Sequence, residues 1–283
     1  MPRGIALTIG LNALSQEHYA GATPSLRAAE ADATTLAGIA RAEGLETTCL
    51  VGSNASRFQV LTALQAAADT LQGGDLLFMS YSGFGGQLPD LTGTRAGGLV
   101  EAWCLHDGML PVQAVYAKLA LLREDVRVFL LTDTCHTGTV ARIPYELLRS
   151  TMELEKEAAA RPPPRRMPVF RLLPEGIVRR TFSQHRADYM ALLSQLPREP
   201  DADIHAKVIH LSSCQDAQVA EDGEQHSAFI TRLLEVWQDG RFKGNYRTLS
   251  RRMVMRMPPT QSPAYEVLGA KAPEFEQQRP FTV

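Results

Sequence analysis

Apolar runs alternating with helix-spaced segments constrain this chain most. Runs fit for buried strands recur at 5–11, 47–51, 75–81, 127–132 and 207–212. Between them, residues 26–42, 58–71 and 112–122 repeat Leu, Ala, Ile or Val at three- and four-residue intervals, the period of one helix face. Ser56 and Ser227 suit helix N-caps, Gly44 and Gly73 suit helix stops, and 227–237 reads as a further helix. Strand–helix alternation of this kind predicts an α/β fold, a mostly parallel sheet with helices on both faces. Ligands of such sheets gather beyond the carboxyl ends of the strands.

The pattern lapses over 146–203. Residues 146–161 read as a charged helix or tail, Pro162-Pro163-Pro164 cannot continue it, and 197–203 is polar and proline-containing. This segment is expected to be a mobile, protease-sensitive insert holding any self-processing site. Its Arg161, Arg165, Arg166, Arg179 and Arg180 are the candidate points of cleavage. A single domain over 1–283 is expected, with portions 1–145 and 204–283 joined by the insert.

The chain is 283 residues long with a formal net charge of -2, which gives no case for bulk nucleic-acid or anionic-membrane binding. Residues 3–22 imitate a short signal peptide, yet the apolar 5–11 stretch serves better as a buried first strand, and no run is long enough to span a membrane. The four cysteines (Cys49, Cys104, Cys135, Cys214) are widely spaced and form no CxxC pair. Neither zinc ligation nor a disulfide framework is expected, and a reducing, cytoplasmic setting fits.

Cys135 lies in Asp133-Thr134-Cys135-His136-Thr137-Gly138, just past the 127–132 run, where a strand-to-turn transition exposes a side chain at the sheet edge. Tyr81-Ser82-Gly83-Phe84-Gly85-Gly86-Gln87 follows another run in the same way, and Phe84 stands 51 residues before Cys135. With these motifs the chain resembles the caspase-like cysteine peptidases, and within them the metacaspase and orthocaspase branch. The resemblance extends to Ala6-Leu7-Thr8-Ile9-Gly10-Leu11-Asn12, to the segment around Asp32, to Glu101-Ala102-Trp103-Cys104-Leu105-His106-Asp107 and to Ser212-Ser213-Cys214-Gln215-Asp216. Pro280-Phe281-Thr282-Val283 resembles the domain's last strand.

The resemblance implies a three-layer caspase-like fold with Cys135 as nucleophile and Gly85 as a turn glycine and candidate oxyanion donor. It also implies an acidic S1 pocket for Arg or Lys side chains, formed by Asp32, Ser82, Asp133 and Asp216. Converging carboxylates are what a guanidinium needs for charge-assisted hydrogen bonds. Two departures stand out. Phe84 occupies the position of the family's general-base histidine, and its ring can neither activate a thiol nor protonate a leaving amine. The loop after Asp90 lacks the carboxylates that calcium requires, so no cofactor or metal is expected.

The expected function is thus a caspase-like endopeptidase scaffold, impaired in catalysis, whose partners are peptide segments containing Arg or Lys. Two alternatives are an active Arg/Lys-directed endopeptidase, with a substitute base such as His18 or His106 or with Phe84 an introduced change, and a non-catalytic interaction scaffold. His136 neighbours Cys135 but does not replace the base.

Overall fold

The computed structural model describes residues 2–93, 98–135, 169–199, 202–215 and 218–283. Among them a six-stranded sheet runs in the order β2-β1-β3-β7-β8-β9. Its strands are β1 (Gly4–Gly10), β2 (Glu46–Val51), β3 (Leu76–Ser82), β7 (Arg127–Asp133), β8 (Lys207–Ser212) and β9 (Ala264–Gly269). The first five are mutually parallel and β9 closes the edge antiparallel to β8. The five apolar runs fall on the five parallel strands. β3 and β7 are buried at every position, which is why they read as continuous apolar runs rather than alternating ones.

One face of the sheet packs Leu7, Ile9, Leu77, Met79, Val128 and Leu130 against helices α2 (Arg57–Thr70) and α3 (Val112–Leu119). The opposite face packs Ala6, Phe78, Phe129, Leu131 and Ile209 against α1 (Ala29–Ala42), α6 (Ala228–Trp237) and α7 (Tyr246–Val254). Period-two alternation of side chains across a strand sends neighbouring residues to opposite cores, giving the three layers. The caps form as expected: Ser56 accepts from the Gln59 N–H at 3.2 Å, and Ser227 from the Ile230 N–H at 3.0 Å. Gly44 follows α1 in the left-handed region at φ 84°.

A second, antiparallel sheet is formed by β4 (Gly85–Pro89), β5 (Leu99–Leu105) and β6 (Gly108–Pro111). It continues directly from the Phe84 loop. Packed on it are α4 (Glu175–Gln184) and α5 (Arg186–Ser194), through Leu173, Ile177, Val178, Tyr189 and Leu193. The remaining helix is α8 (Pro273–Glu276).

Two expectations are corrected. The insert is not an unpacked tract throughout: residues 169–199 form a buried strap and two helices, because Ile177, Val178 and Thr181 on one side of α4 fill the groove beside β4. Its earlier part, with the charged segment and the triple proline, lies outside the described residues. Residues 280–283 are not a strand. Phe281 takes φ 63°, Thr282 Oγ1 closes a turn onto the Arg279 carbonyl at 2.6 Å, and the Phe281 ring is fully buried against Phe78, Phe129 and Trp237. The apolar character that suggested a strand serves a core anchor, and β9 supplies the last strand.

Among the described residues no helix is long and apolar enough to cross a membrane. All four cysteines are free thiols.

Candidate active site

The register of the central sheet brings the two signature loops together. Ser82, the last residue of β3, pairs with Asp133, the last residue of β7, so Phe84 and Cys135 each lie two residues beyond a matched strand end. The Gly83 N–H donates to the Asp133 carbonyl at 3.3 Å, tying the loops to each other. Gly85 admits no other residue, since a Cβ there would lie 2.4 Å from the Cys135 carbonyl oxygen and 2.8 Å from Thr134 Oγ1. Phe84 is buried, packed with Leu88, Ala102, Met109, Ile177 and Val178. Its carbonyl is fixed by the Tyr81 hydroxyl at 2.7 Å and the Cys104 N–H at 2.9 Å.

Cys135 is 3 % exposed and sits among Leu172, Cys214 and Ala220. Its Sγ accepts the Ala220 N–H at 3.1 Å. Burial pushes the thiol well above its usual pKa, with the Cys214 side chain adding to the rise. The buried thiol therefore holds its proton at neutral pH, and the thiolate is scarce.

The acidic pocket is occupied by the chain's own Arg171, whose side chain is fully buried. Nη1 donates to Ser82 Oγ at 2.8 Å and to Asp133 Oδ2 at 2.9 Å. Nη2 donates to Asp32 Oδ2 at 2.7 Å and to Asp222 Oδ1 at 2.9 Å. The planar fork of arginine thus spans two pairs of acceptors at once, a geometry an ammonium cannot copy. Asp32, Ser82 and Asp133 thus meet around the one guanidinium. Asp216 lies outside the described residues, and the third carboxylate observed is Asp222, seven positions after Gln215 and on the segment that follows β8.

The carboxylates are themselves held. Asp32 Oδ1 takes His226 Nδ1 at 2.9 Å and the Ser227 N–H at 3.3 Å; Asp222 Oδ2 takes the Arg27 N–H at 2.7 Å; the Ser227 hydroxyl donates to Asp133 Oδ2. Burial nevertheless pushes the Asp133 carboxyl up to about 6, against the pull of Arg171. The same three carboxylates raise Arg171 further above the usual arginine value, overcoming its own desolvation.

The backbone around Arg171 is as specifically bound as its side chain. Its carbonyl oxygen receives the Gly85 N–H at 2.9 Å and the Cys135 N–H at 3.3 Å, two backbone donors converging on one oxygen. Its N–H donates to the Ala220 carbonyl at 2.9 Å, and the Asp222 N–H donates to the Val169 carbonyl at 2.7 Å, so Phe170 bridges Glu221 antiparallel. On the other side the Leu173 N–H donates to the Gly85 carbonyl at 2.8 Å, pairing Leu172 parallel to β4.

The histidines raised as substitutes serve elsewhere. His18 Nε2 meets the Tyr189 hydroxyl at 2.8 Å, and its ring stacks on His185 at 4.0 Å. Burial, His185 and Arg57 lower its pKa to about 4. His106 lies in the β5–β6 turn, its N–H bonded to the Ala55 carbonyl and its carbonyl to the Ser15 N–H. His136 is outside the described residues, as are Arg161, Arg165 and Arg166. Arg179 and Arg180 are exposed on α4, and Arg179 pairs with Glu175. Sequence reasoning missed Arg171 and Asp222. The available signal for Arg171 was its setting in Val169-Phe170-Arg171-Leu172-Leu173, an isolated cation within an apolar stretch.

A six-stranded sheet with a cysteine and a glycine N–H facing one carbonyl beyond β3 and β7 defines a caspase-type site. The caspase-domain family of peptidases (Peptidase_C14) matches residues 3–281, and the chain belongs to that family. The crystal structure of protein GSU0716 from Geobacter sulfurreducens is similar over 100 % of this chain and 99 % of that one, with a TM-score of 0.88 and 38 % identity. Caspase-1 from Spodoptera frugiperda shares the fold at a TM-score of 0.51 and 12 % identity, over 94 % of this chain and 86 % of its own. Metacaspase-1B of Aspergillus fumigatus is 31 % identical over 107 residues, and Metacaspase-1 of Saccharomyces cerevisiae is 31 % identical over 100 residues. These matches take in 36 % and 32 % of this chain, and only 26 % and 22 % of the curated relatives' lengths.

Proposed function

We propose that this site is an arginine-reading cysteine endopeptidase site whose catalysis is strongly impaired by Phe84. The observation that carries the reading is the seat of Arg171: a guanidinium on three carboxylates, with its own carbonyl on the Gly85 and Cys135 N–H pair. A peptide bound in that manner presents its carbonyl carbon beside Cys135. In the reaction, a Cys135 thiolate would attack that carbon, the oxyanion would form on the two N–H groups, and the amine would leave with a proton delivered by a general acid. Water would then hydrolyse the thioester. Phe84 supplies neither the base that forms the thiolate nor the acid that releases the amine, and the reaction uses no cofactor. The partners are peptide segments with arginine before the scissile bond; lysine is the weaker choice, because one ammonium cannot serve both acceptor pairs.

The test is hydrolysis of a fluorogenic arginyl peptide by Arg171→Lys, which loosens the resident arginine, beside Phe84→His/Arg171→Lys. Histidine is expected to raise the rate roughly 10²–10⁴-fold, the usual contribution of general acid–base catalysis. Adding Cys135→Ala should remove the gain. Equal rates with and without the histidine would contradict the assigned role of position 84.

A further inference from the structure

We propose that residues 169–173 are a tethered pseudosubstrate, which admits an external arginine peptide only in molecules where the segment has left the site. The inference rests on the arginine-site reading above and adds what governs access to it.

A segment that merely passed the site would need to fill space. This one satisfies every recognition element in order. Val169 and Arg171 pair through their backbones with residues 220–222, as an added antiparallel strand does. The Arg171 side chain takes all three carboxylates, its carbonyl takes both backbone donors, and Leu173 then pairs with Gly85. The chain is therefore held on both sides of the Arg171–Leu172 bond. Leu172 lies against Cys135 itself, in a cluster with Cys214 and Ala220. Beyond it Leu173, Ile177 and Val178 lock the segment into the core that surrounds Phe84.

The two sides do different jobs. The upstream hydrogen bonds and the guanidinium occupy the places an external peptide would need. The downstream anchor keeps the occupant at high effective concentration, so an intramolecular arginine outcompetes a dissolved one. Apparent affinity for an external ligand falls by the fraction of molecules that are open: a segment docked 99 to 1 weakens it about 100-fold. Restoring a histidine at position 84 would therefore leave external turnover limited by departure of the segment.

The experiment measures binding of a fluorescein-labelled Val-Phe-Arg amide, which copies residues 169–171, by anisotropy. The proteins are the unaltered chain, Arg171→Lys and Arg171→Ala; the control peptide carries citrulline in place of arginine. The unaltered chain should bind at least about 100-fold more weakly than Arg171→Ala, with Arg171→Lys between them, and the citrulline peptide should bind none of them. Saturating arginine peptide should raise the Tm of Arg171→Ala and barely move that of the unaltered chain. Where Arg171→Ala fails to fold, Arg171→Lys, which keeps the charge and loses the fork, decides the question. Equal arginine-peptide affinity in the unaltered chain and Arg171→Lys would overturn the tethered occupant while leaving the arginine pocket standing. No binding by folded Arg171→Lys, with no rescue of Arg171→Ala, would overturn both.

Discussion

Replacing Arg171 by methionine keeps the apolar stem and removes the guanidinium from Asp32, Asp133 and Asp222. The side chains of Arg171, Asp32 and Asp133 are fully buried and that of Asp222 is 1 % exposed, so solvent cannot take over the lost charge. Breaking a buried ion pair by removing one partner costs about 3–5 kcal/mol, because the remaining charge is left uncompensated. At pH 7.5 the variant should lose about that much, and its Tm should fall by roughly 6–20 °C for a chain of this size. The loss should shrink on acidification. Asp133 already has a folded pKa raised to about 6 by burial, above the usual carboxylate value. A carboxyl raised in this way contributes stability that is complete below its unfolded pKa and is lost as pH rises through its folded value. Without the lowering pull of Arg171 the Asp133 carboxyl rises further, so protonation between pH 7.5 and 5 relieves more of the penalty in the variant than in the parent. Urea unfolding at pH 7.5 and pH 5.0 measures both gaps. A gap below about 1 kcal/mol at pH 7.5, or one that fails to narrow at pH 5.0, would refute the counter-ion reasoning.

Three further outcomes are expected. His18 is lowered to about 4, so it contributes stability present above its unfolded pKa and lost as pH falls towards 4; His18→Gln, which can still accept from Tyr189, should flatten the fall in Tm between pH 6.5 and 4, and an unchanged profile would contradict this. Cys49 is the only one of the four cysteines that is not buried. Iodoacetamide should therefore modify Cys49 first by mass spectrometry, Cys135 reacting faster in Arg171→Lys; prompt labelling of Cys135 in the unaltered chain would contradict its burial. Gly85→Ala should displace the loop, since the new Cβ would meet the Cys135 carbonyl oxygen at 2.4 Å; a variant with parental Tm and parental peptide binding would show that the close approach is unimportant.

What the sequence made legible follows from burial. Parallel strands covered on both faces are written as uninterrupted apolar runs, so β1, β3, β7 and β8 could be placed to within a residue or two, and their ends located Phe84 and Cys135. β9 left little trace, because it is an edge strand with Glu266 and Val267 exposed. The helices α4 and α5 were hidden behind the proline run, and each is so short that three buried residues define the inner side of α4 and two that of α5. Phe281 looked like part of a strand because a buried ring and a buried strand leave the same mark in a short window. Asp32, Ser82 and Asp133 were visible through motif positions. Arg171 was not, since its partner Asp32 is 139 positions away in sequence and no local pattern announces such a pairing. Asp222 went unnoticed for the same reason, its pairing with Arg171 crossing 51 positions.

The most direct test of the account is the residue preference of Phe84→His/Arg171→Lys on peptides identical except for Arg, Lys, Asp or Leu before the reporter group. Three carboxylates and the paired N–H donors predict cleavage after arginine first and lysine second, with aspartate and leucine near background and all signal lost on adding Cys135→Ala. Cleavage after aspartate at a rate equal to that after arginine would contradict an arginine-reading site.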